Sequence, residues 1–74
     1  MFILFSVKIN NKIETMHGDT SEDVLRKILN NKKYMDSHIG FYTDDYGQIS
    51  AVVFSNDLSY EENIIIRKKN SATL

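Results

Sequence analysis

TSEDVLRKILNNKK, residues 20–33, decides the fold, because it is the one segment with a clear helical period in a chain that otherwise alternates like β-strand. Val24, Leu25, Ile28 and Leu29 recur at the i, i+1, i+4, i+5 spacing that makes a single apolar stripe, while Glu22, Asp23, Arg26, Lys27 and Asn30 take the other side. Thr20 or Ser21 is placed to accept from the first free backbone N–H groups, and Thr20 with Asp23 has the spacing of a capping box. Asp19, Glu22 and Asp23 lie at the positive end of the helix dipole and Lys32 and Lys33 at the negative end. Asn30 and Asn31 weaken the last turn, so the helix is expected to end between residues 31 and 33.

Outward from this helix, everything reads as strand. Residues 2–9 alternate, with Ile3, Phe5, Val7 and Ile9 on one face and Phe2, Leu4, Ser6 and Lys8 on the other. A two-residue turn at Asn10-Asn11 would set Ile9 opposite Lys12 and Val7 opposite Glu14, mixing faces. A three-residue loop pairs Ile9 with Ile13, Val7 with Thr15 and Phe5 with His17, and is the predicted register. The second strand then runs to His17, where Gly18-Asp19 breaks it.

Beyond the helix, Tyr34 and Met35 are expected to fold back on the core. Residues 38–43 and 48–54 form a hairpin around Asp44-Asp45-Tyr46-Gly47, with Gly47 supplying a positive φ. Residues 55–63 read as a polar loop or short helical turn anchored by Leu58 and Tyr60. Ile64-Ile65-Ile66 opens a last strand, and three successive β-branched residues imply a central position buried on both faces. The predicted fold is α+β, in the order ββαβββ, a mixed sheet with one helix on one face. Residues 1–69 make one small domain and residues 70–74 a flexible tail.

With 74 residues there is material for one core only. Domains of this size bury only about 60% of their unfolded surface, so association is a common remedy. The absence of Cys removes disulfides, thiol nucleophiles and thiolate metal sites together. The apolar run at residues 1–5 is too short for a membrane span and lacks the flanks of a signal peptide, so a cytoplasmic protein is expected.

A net charge of −1 points neither to general nucleic-acid affinity nor to a DNA mimic. Its distribution is uneven. Residues 38–63 hold Asp44, Asp45, Asp57, Glu61 and Glu62 and no Lys or Arg, and Arg67-Lys68-Lys69 follow. The basic run suits either a nucleic-acid contact or a soluble chain end, and no aromatic residues interleave with it as single-strand binders require. His17 and His38 have no helical i, i+4 ligand partner and read as surface residues, so no metal site is predicted. Asp44-Asp45-Tyr46-Gly47 lacks the later ligands of a calcium loop. Glu61 and Glu62 read as a solvated pair with nothing apolar around them to shift a pKa. No nucleophile, acid–base pair or phosphate loop forms a catalytic set, so neither enzyme activity nor a cofactor is expected.

Lys12-Ile13-Glu14-Thr15, leading through Thr20-Ser21-Glu22-Asp23-Val24 to Lys27-Ile28, resembles the second strand and capped helix of the ubiquitin-like β-grasp proteins. The likeness covers roughly the first half of the chain, and the rest matches in element order. The conjugating members end in Gly-Gly, whereas this chain ends Asn70-Ser71-Ala72-Thr73-Leu74. The resemblance therefore implies a binding scaffold or adaptor rather than a conjugated tag. In length, in its Asn-, Lys- and Ile-rich usage without Pro or Trp, and in its lack of a catalytic set, the chain is also similar to the small Twort-type phage inhibitors of the bacterial DNA sliding clamp. A clamp-binding peptide uses a Gln followed by spaced Leu and Phe, from which Asp57-Leu58-Ser59-Tyr60 and Gln48 with Phe54 both depart.

Together these readings imply a non-catalytic inhibitor that occludes a host machine, with DNA replication as the process. Its contact set would be Asp44, Asp45, Tyr46, Asp57, Glu61 and Glu62, meeting a basic surface. Phe2, Leu4, Phe54 and Ile65 point away from the helix and would form a dimer or an apolar anchor, unless the tail and residues 55–63 fold over them. The alternatives are an adaptor or self-associating module, and a nucleic-acid-binding module using residues 67–69.

Overall fold

In the computed structural model, which describes residues 3–69, the chain runs β1 (Ile3–Ile9), β2 (Lys12–Gly18), α1 (Ser21–Leu29), one 3₁₀ turn (Lys32–Tyr34), β3 (Ser37–Thr43), β4 (Ile49–Ser55) and β5 (Glu61–Lys68). Phe2 and residues 70–74 lie outside the described residues. The expected α+β class and the ββαβββ order are those observed. The helix is shorter than predicted. Thr20 caps it, its Oγ1 accepting from the Asp23 N–H at 3.1 Å, and Asn30 closes it with an N–H donated to the Arg26 carbonyl. Asn31 then caps a separate 3₁₀ turn by accepting from the Lys33 N–H, so the Asn30-Asn31 pair divides one predicted helix into two pieces.

The five strands form one sheet in the order β2-β1-β5-β4-β3, and every neighbouring pair is antiparallel. The expected mixed sheet is therefore corrected, and the reason is parity. Tight turns force β1–β2, β3–β4 and β4–β5 to alternate in direction. Helix α1 carries the chain back along the sheet, so β3 runs with β2, β5 runs with β3, and β5 ends opposed to β1. The central place predicted for the Ile64-Ile65-Ile66 strand is the observed one, but its burial on both faces is corrected: Ile64 and Ile66 are fully buried under the helix side, whereas Ile65 points the other way and is half-buried.

The first hairpin is also corrected. Ile9 pairs with Lys12, Val7 with Glu14 and Phe5 with Met16, around a two-residue Asn10-Asn11 turn. Asn10 adopts φ 54°, a left-handed conformation that Asn tolerates. It is held there from outside the hairpin: its N–H donates to the Asn63 carbonyl at 2.8 Å and its Oδ1 accepts from the Asn63 N–H at 3.0 Å. The resulting mixture of faces falls on an edge strand, where Lys12, Glu14 and Ile13 are all exposed to solvent.

One face of the sheet is packed. Phe5, Val7, Ile49, Ala51, Val53, Ile64 and Ile66 meet Val24 and Leu25 of α1 and the ring of Tyr34, with Ile3, Ile9, Met16, Ile28 and Leu29 around them. Tyr34 folds back as expected, whereas Met35 and the supposed anchor Leu58 are exposed. Gly18 is the last residue of β2 rather than a break before the helix. A Cβ there would stand 2.7 Å from Val24 Cγ2, so the glycine is what lets α1 seat this close to the sheet. Gly18→Ala is expected to lower stability by about 1–3 kcal/mol through overpacking, read by urea unfolding; an unchanged midpoint would contradict this seating.

Candidate functional site

The strand pairings fix what the other face of the sheet carries. Leu4 sits on β1; Ile65 on β5 is paired with Lys8 and Ser50; Val52 and Phe54 follow on β4. All four apolar side chains are half-buried, and the helix and the Tyr34 ring pack with Phe5, Val7, Ile64 and Ile66 on the opposite face. His38 stacks on Phe54, ring centroids 5.5 Å apart, and extends the strip toward β3. Because Gly40 has no side chain, a shallow hollow opens beside Ser50, Val52 and Ile65. Lys8, Asn63, Glu61 and Arg67 lie on the same face and give the strip a mixed polar border.

The acidic residues do not form one patch. Asp44, Asp45 and Tyr46 make the β3–β4 turn, and Asp57 lies in the β4–β5 turn at the far end of the seven-residue strand β4, roughly 20 Å away. Asp44 is partly committed to its own turn, its Oδ1 accepting from the N–H groups of Tyr46 and Gln48 at 2.8 and 2.9 Å. Tyr46 is 91% exposed at the tip. Asp57 Oδ1 accepts from Ser59 Oγ at 2.7 Å, the Ser59 N–H at 3.1 Å and Ser55 Oγ at 2.8 Å. These bonds, the Ser59 hydroxyl first, hold its pKa down to about 2 and make it the internal acceptor of a tight turn. Glu61 faces solvent on the open face, opposite Phe54.

Glu62 corrects the reading of a solvated pair. It belongs to β5, not to a loop, and is 3% exposed on the helix-side face. The hydroxyls of Tyr34 and Tyr60 both donate to its carboxylate, and Lys33 Nζ donates at 3.2 Å while lying 5.1 Å from the centroid of the Tyr34 ring. Burial pushes the Glu62 pKa up, but the bonds from Tyr34, Tyr60 and Lys33 outweigh it, and the net shift is downward. Tyr34 is raised, first by burial and then by its bond to Glu62, while Tyr60 and Lys33 are raised mainly by theirs. With three donors on one carboxylate, the cluster is a clasp joining the 3₁₀ turn, the β4–β5 turn and the central strand. Its carboxylate is committed to those donors rather than to a ligand.

The remaining sequence candidates are dispersed. Arg67 and Lys68 project from opposite faces of β5, so the basic run is not a single patch. His17 and His38 are exposed, and among the described residues no three His, Cys, Asp or Glu side chains gather as a metal site. No helix among the described residues is long and apolar enough to cross a membrane. Comparison with known proteins finds no family model, no characterised sequence and no solved structure that matches this chain.

Proposed function

We propose that this chain is a non-catalytic binding module that docks on a larger protein through the sheet face opposite α1. The observation that supports the reading is the half-buried strip Leu4, Ile65, Val52 and Phe54, which a single short helix on the other face leaves uncovered among the described residues. An apolar centre with a polar border is the pattern of a protein–protein contact surface. Docking of this kind would inhibit its target by occlusion, keeping other ligands from the surface it covers.

The narrower proposal, occlusion of a basic channel such as that of a DNA sliding clamp, has Asp44 and Asp45 at one end and Glu61 on the open face as its acidic contacts, with the exposed Tyr46 beside the first two. Glu62 drops out because it is buried, and Asp57 because it serves its own turn at the opposite end. The adaptor reading drawn from β-grasp proteins keeps its element order, though not its mixed sheet. A nucleic-acid role for residues 67–69 has no contiguous basic surface behind it.

The test is capture from a bacterial lysate by the tethered protein at moderate salt, with a double variant Phe54→Ser, Ile65→Ser alongside. A specific protein retained by the unmodified chain is expected to fall at least about tenfold with the double variant. Asp44→Ser with Asp45→Ser is expected to flatten the salt dependence of its retention. Equal retention by the Phe54 and Ile65 variant, shown to be folded, would remove the open face as the docking surface.

A further inference from the structure

The two edges of the sheet are unlike. Edge strand β2 carries Lys12, Glu14 and His17, the kind of charge that keeps an edge from pairing with another chain. Edge strand β3, SHIGFYT, carries no Lys, Arg, Asp or Glu and no Pro, and exposes Ile39 (41%), Phe41 (53%) and Tyr42 (68%). Its middle residue is Gly40. Glycine inside a strand is unfavourable unless another backbone comes close. Among the described residues nothing does on its open side: a Cβ at Gly40 would meet no atom within 4 Å, and its φ is not left-handed.

The hydrogen-bond phase of the β3–β4 hairpin identifies which backbone groups of β3 are free. Asp44 donates its N–H to the Gln48 carbonyl at 3.0 Å, so that pair is hydrogen-bonded. Alternation along the register then turns Tyr42, Gly40 and His38 toward β4. Ser37, Ile39, Phe41 and Thr43 point their N–H and C=O groups outward, to the edge.

We infer that β3 is a self-association edge, pairing antiparallel with β3 of a second copy about a two-fold axis through Gly40 to make one continuous ten-stranded sheet. In this register Ser37 faces Thr43 and Ile39 faces Phe41 of the second copy, and the reverse, so every outward backbone group of the strand is paired at once. A shift of the axis to Ile39 or Phe41 leaves outward groups unpaired. The side chains agree with the axis. Phe41 borders a groove against Leu25 and Leu29 of α1, and Ile39 of the second copy enters beside it on the same face. On the open face, Tyr42 meets His38 of the second copy. The strand ends discourage further pairing: Asp36 turns away at φ 65°, and the Asp44 carboxylate is engaged in its turn. A two-fold contact of one strand with itself closes as a dimer rather than propagating.

The axis gives a direct test. Gly40 and its counterpart form a non-hydrogen-bonded pair, whose Cα atoms lie about 4.5 Å apart, within the roughly 4.4–6.8 Å that a disulfide spans. The chain has no Cys of its own, and a side chain fits at Gly40. Gly40→Cys is expected to cross-link to a covalent dimer under mild oxidation, far faster than Tyr46→Cys on the exposed turn. Sedimentation equilibrium of the unmodified chain is expected to move, with rising concentration, toward twice the 8.6 kDa chain mass. Phe41→Lys, with native circular dichroism, is expected to weaken that association by about thirtyfold or more. A monomer at all concentrations, or a dimer that ignores Phe41→Lys and does not cross-link at residue 40, would overturn the proposal. The second result would assign dimerisation to another surface, with the docking reading of the open face tested separately by capture.

Discussion

Glu62→Ala is expected to cost about 2–4 kcal/mol, because it removes the acceptor of three hydrogen bonds to a charged group and leaves the buried Tyr34 hydroxyl unsatisfied. A domain of this length has roughly 4–11 kcal/mol in total, so the variant would be near the edge of folding at 37 °C. At about 4–8 °C per kcal/mol, its thermal midpoint would fall by at least about 8 °C. The size of the effect follows from what the carboxylate holds. Tyr34 would keep a buried hydroxyl without its acceptor, Tyr60 would be released toward solvent, and Lys33 would lose its anchor, freeing the 3₁₀ turn from β5. Glu62→Gln keeps the shape and one acceptor and should lose less.

The same cluster sets a pH dependence. The folded-state pKa of Glu62 lies below its ordinary value of 4.5, so its contribution is complete above about pH 4.5 and fades as the pH falls through the folded value. Tyr34 and Tyr60 are raised above 10, so stability also declines as the pH climbs past 10 toward their folded values. Urea unfolding across pH 2–11 should show both limbs in the unmodified chain and a weaker acid limb in Glu62→Gln, with Asp57, held down to about 2 by its turn, supplying part of what remains. Identical acid limbs would mean that Glu62 is not the group responsible.

The second large effect contrasts two neighbours on one strand. Ile66 is fully buried between Val7 and Ile49 on the central strand, and Ile66→Ala should cost about 2–5 kcal/mol through lost burial and the cavity left behind. Ile65→Ala, one residue away but on the open face, should cost less, about 1–2 kcal/mol, because its side chain keeps some contact with water and its loss leaves no closed cavity. Equal costs would mean that both faces of the sheet are packed, and would remove the basis for a docking surface.

These residues also mark what could be read from sequence. The apolar stripe and Thr20 cap of α1 depend on contacts within a few residues, and they stood out. So did the alternation that sends Leu4, Phe54 and Ile65 to the face opposite the helix. The hairpin register did not, because the bond pair that fixes Asn10 joins it to Asn63, 53 positions along the chain. Glu62 was missed for a different reason. It lies beside Glu61 after a polar stretch and resembles solvated charge, yet its period-two spacing with Ile64 and Ile66 aims it at the core. Only the arrival of Tyr34 and Lys33 from the other end of the fold makes that burial tolerable. The separation of Asp44 and Asp45 from Asp57 needed the length of β4 between them, and the exposure of β3 needed the strand order.

The central claim is that the chain acts through the sheet face opposite α1, and methyl-resolved NMR tests it most directly, with a protein recovered by capture titrated into the labelled chain. The expected result is shift or broadening of the Leu4, Val52 and Ile65 methyl signals, with those of Val24, Ile28 and Leu29 on the helix little changed. Perturbation of the helix methyls with Leu4, Val52 and Ile65 unmoved would contradict it.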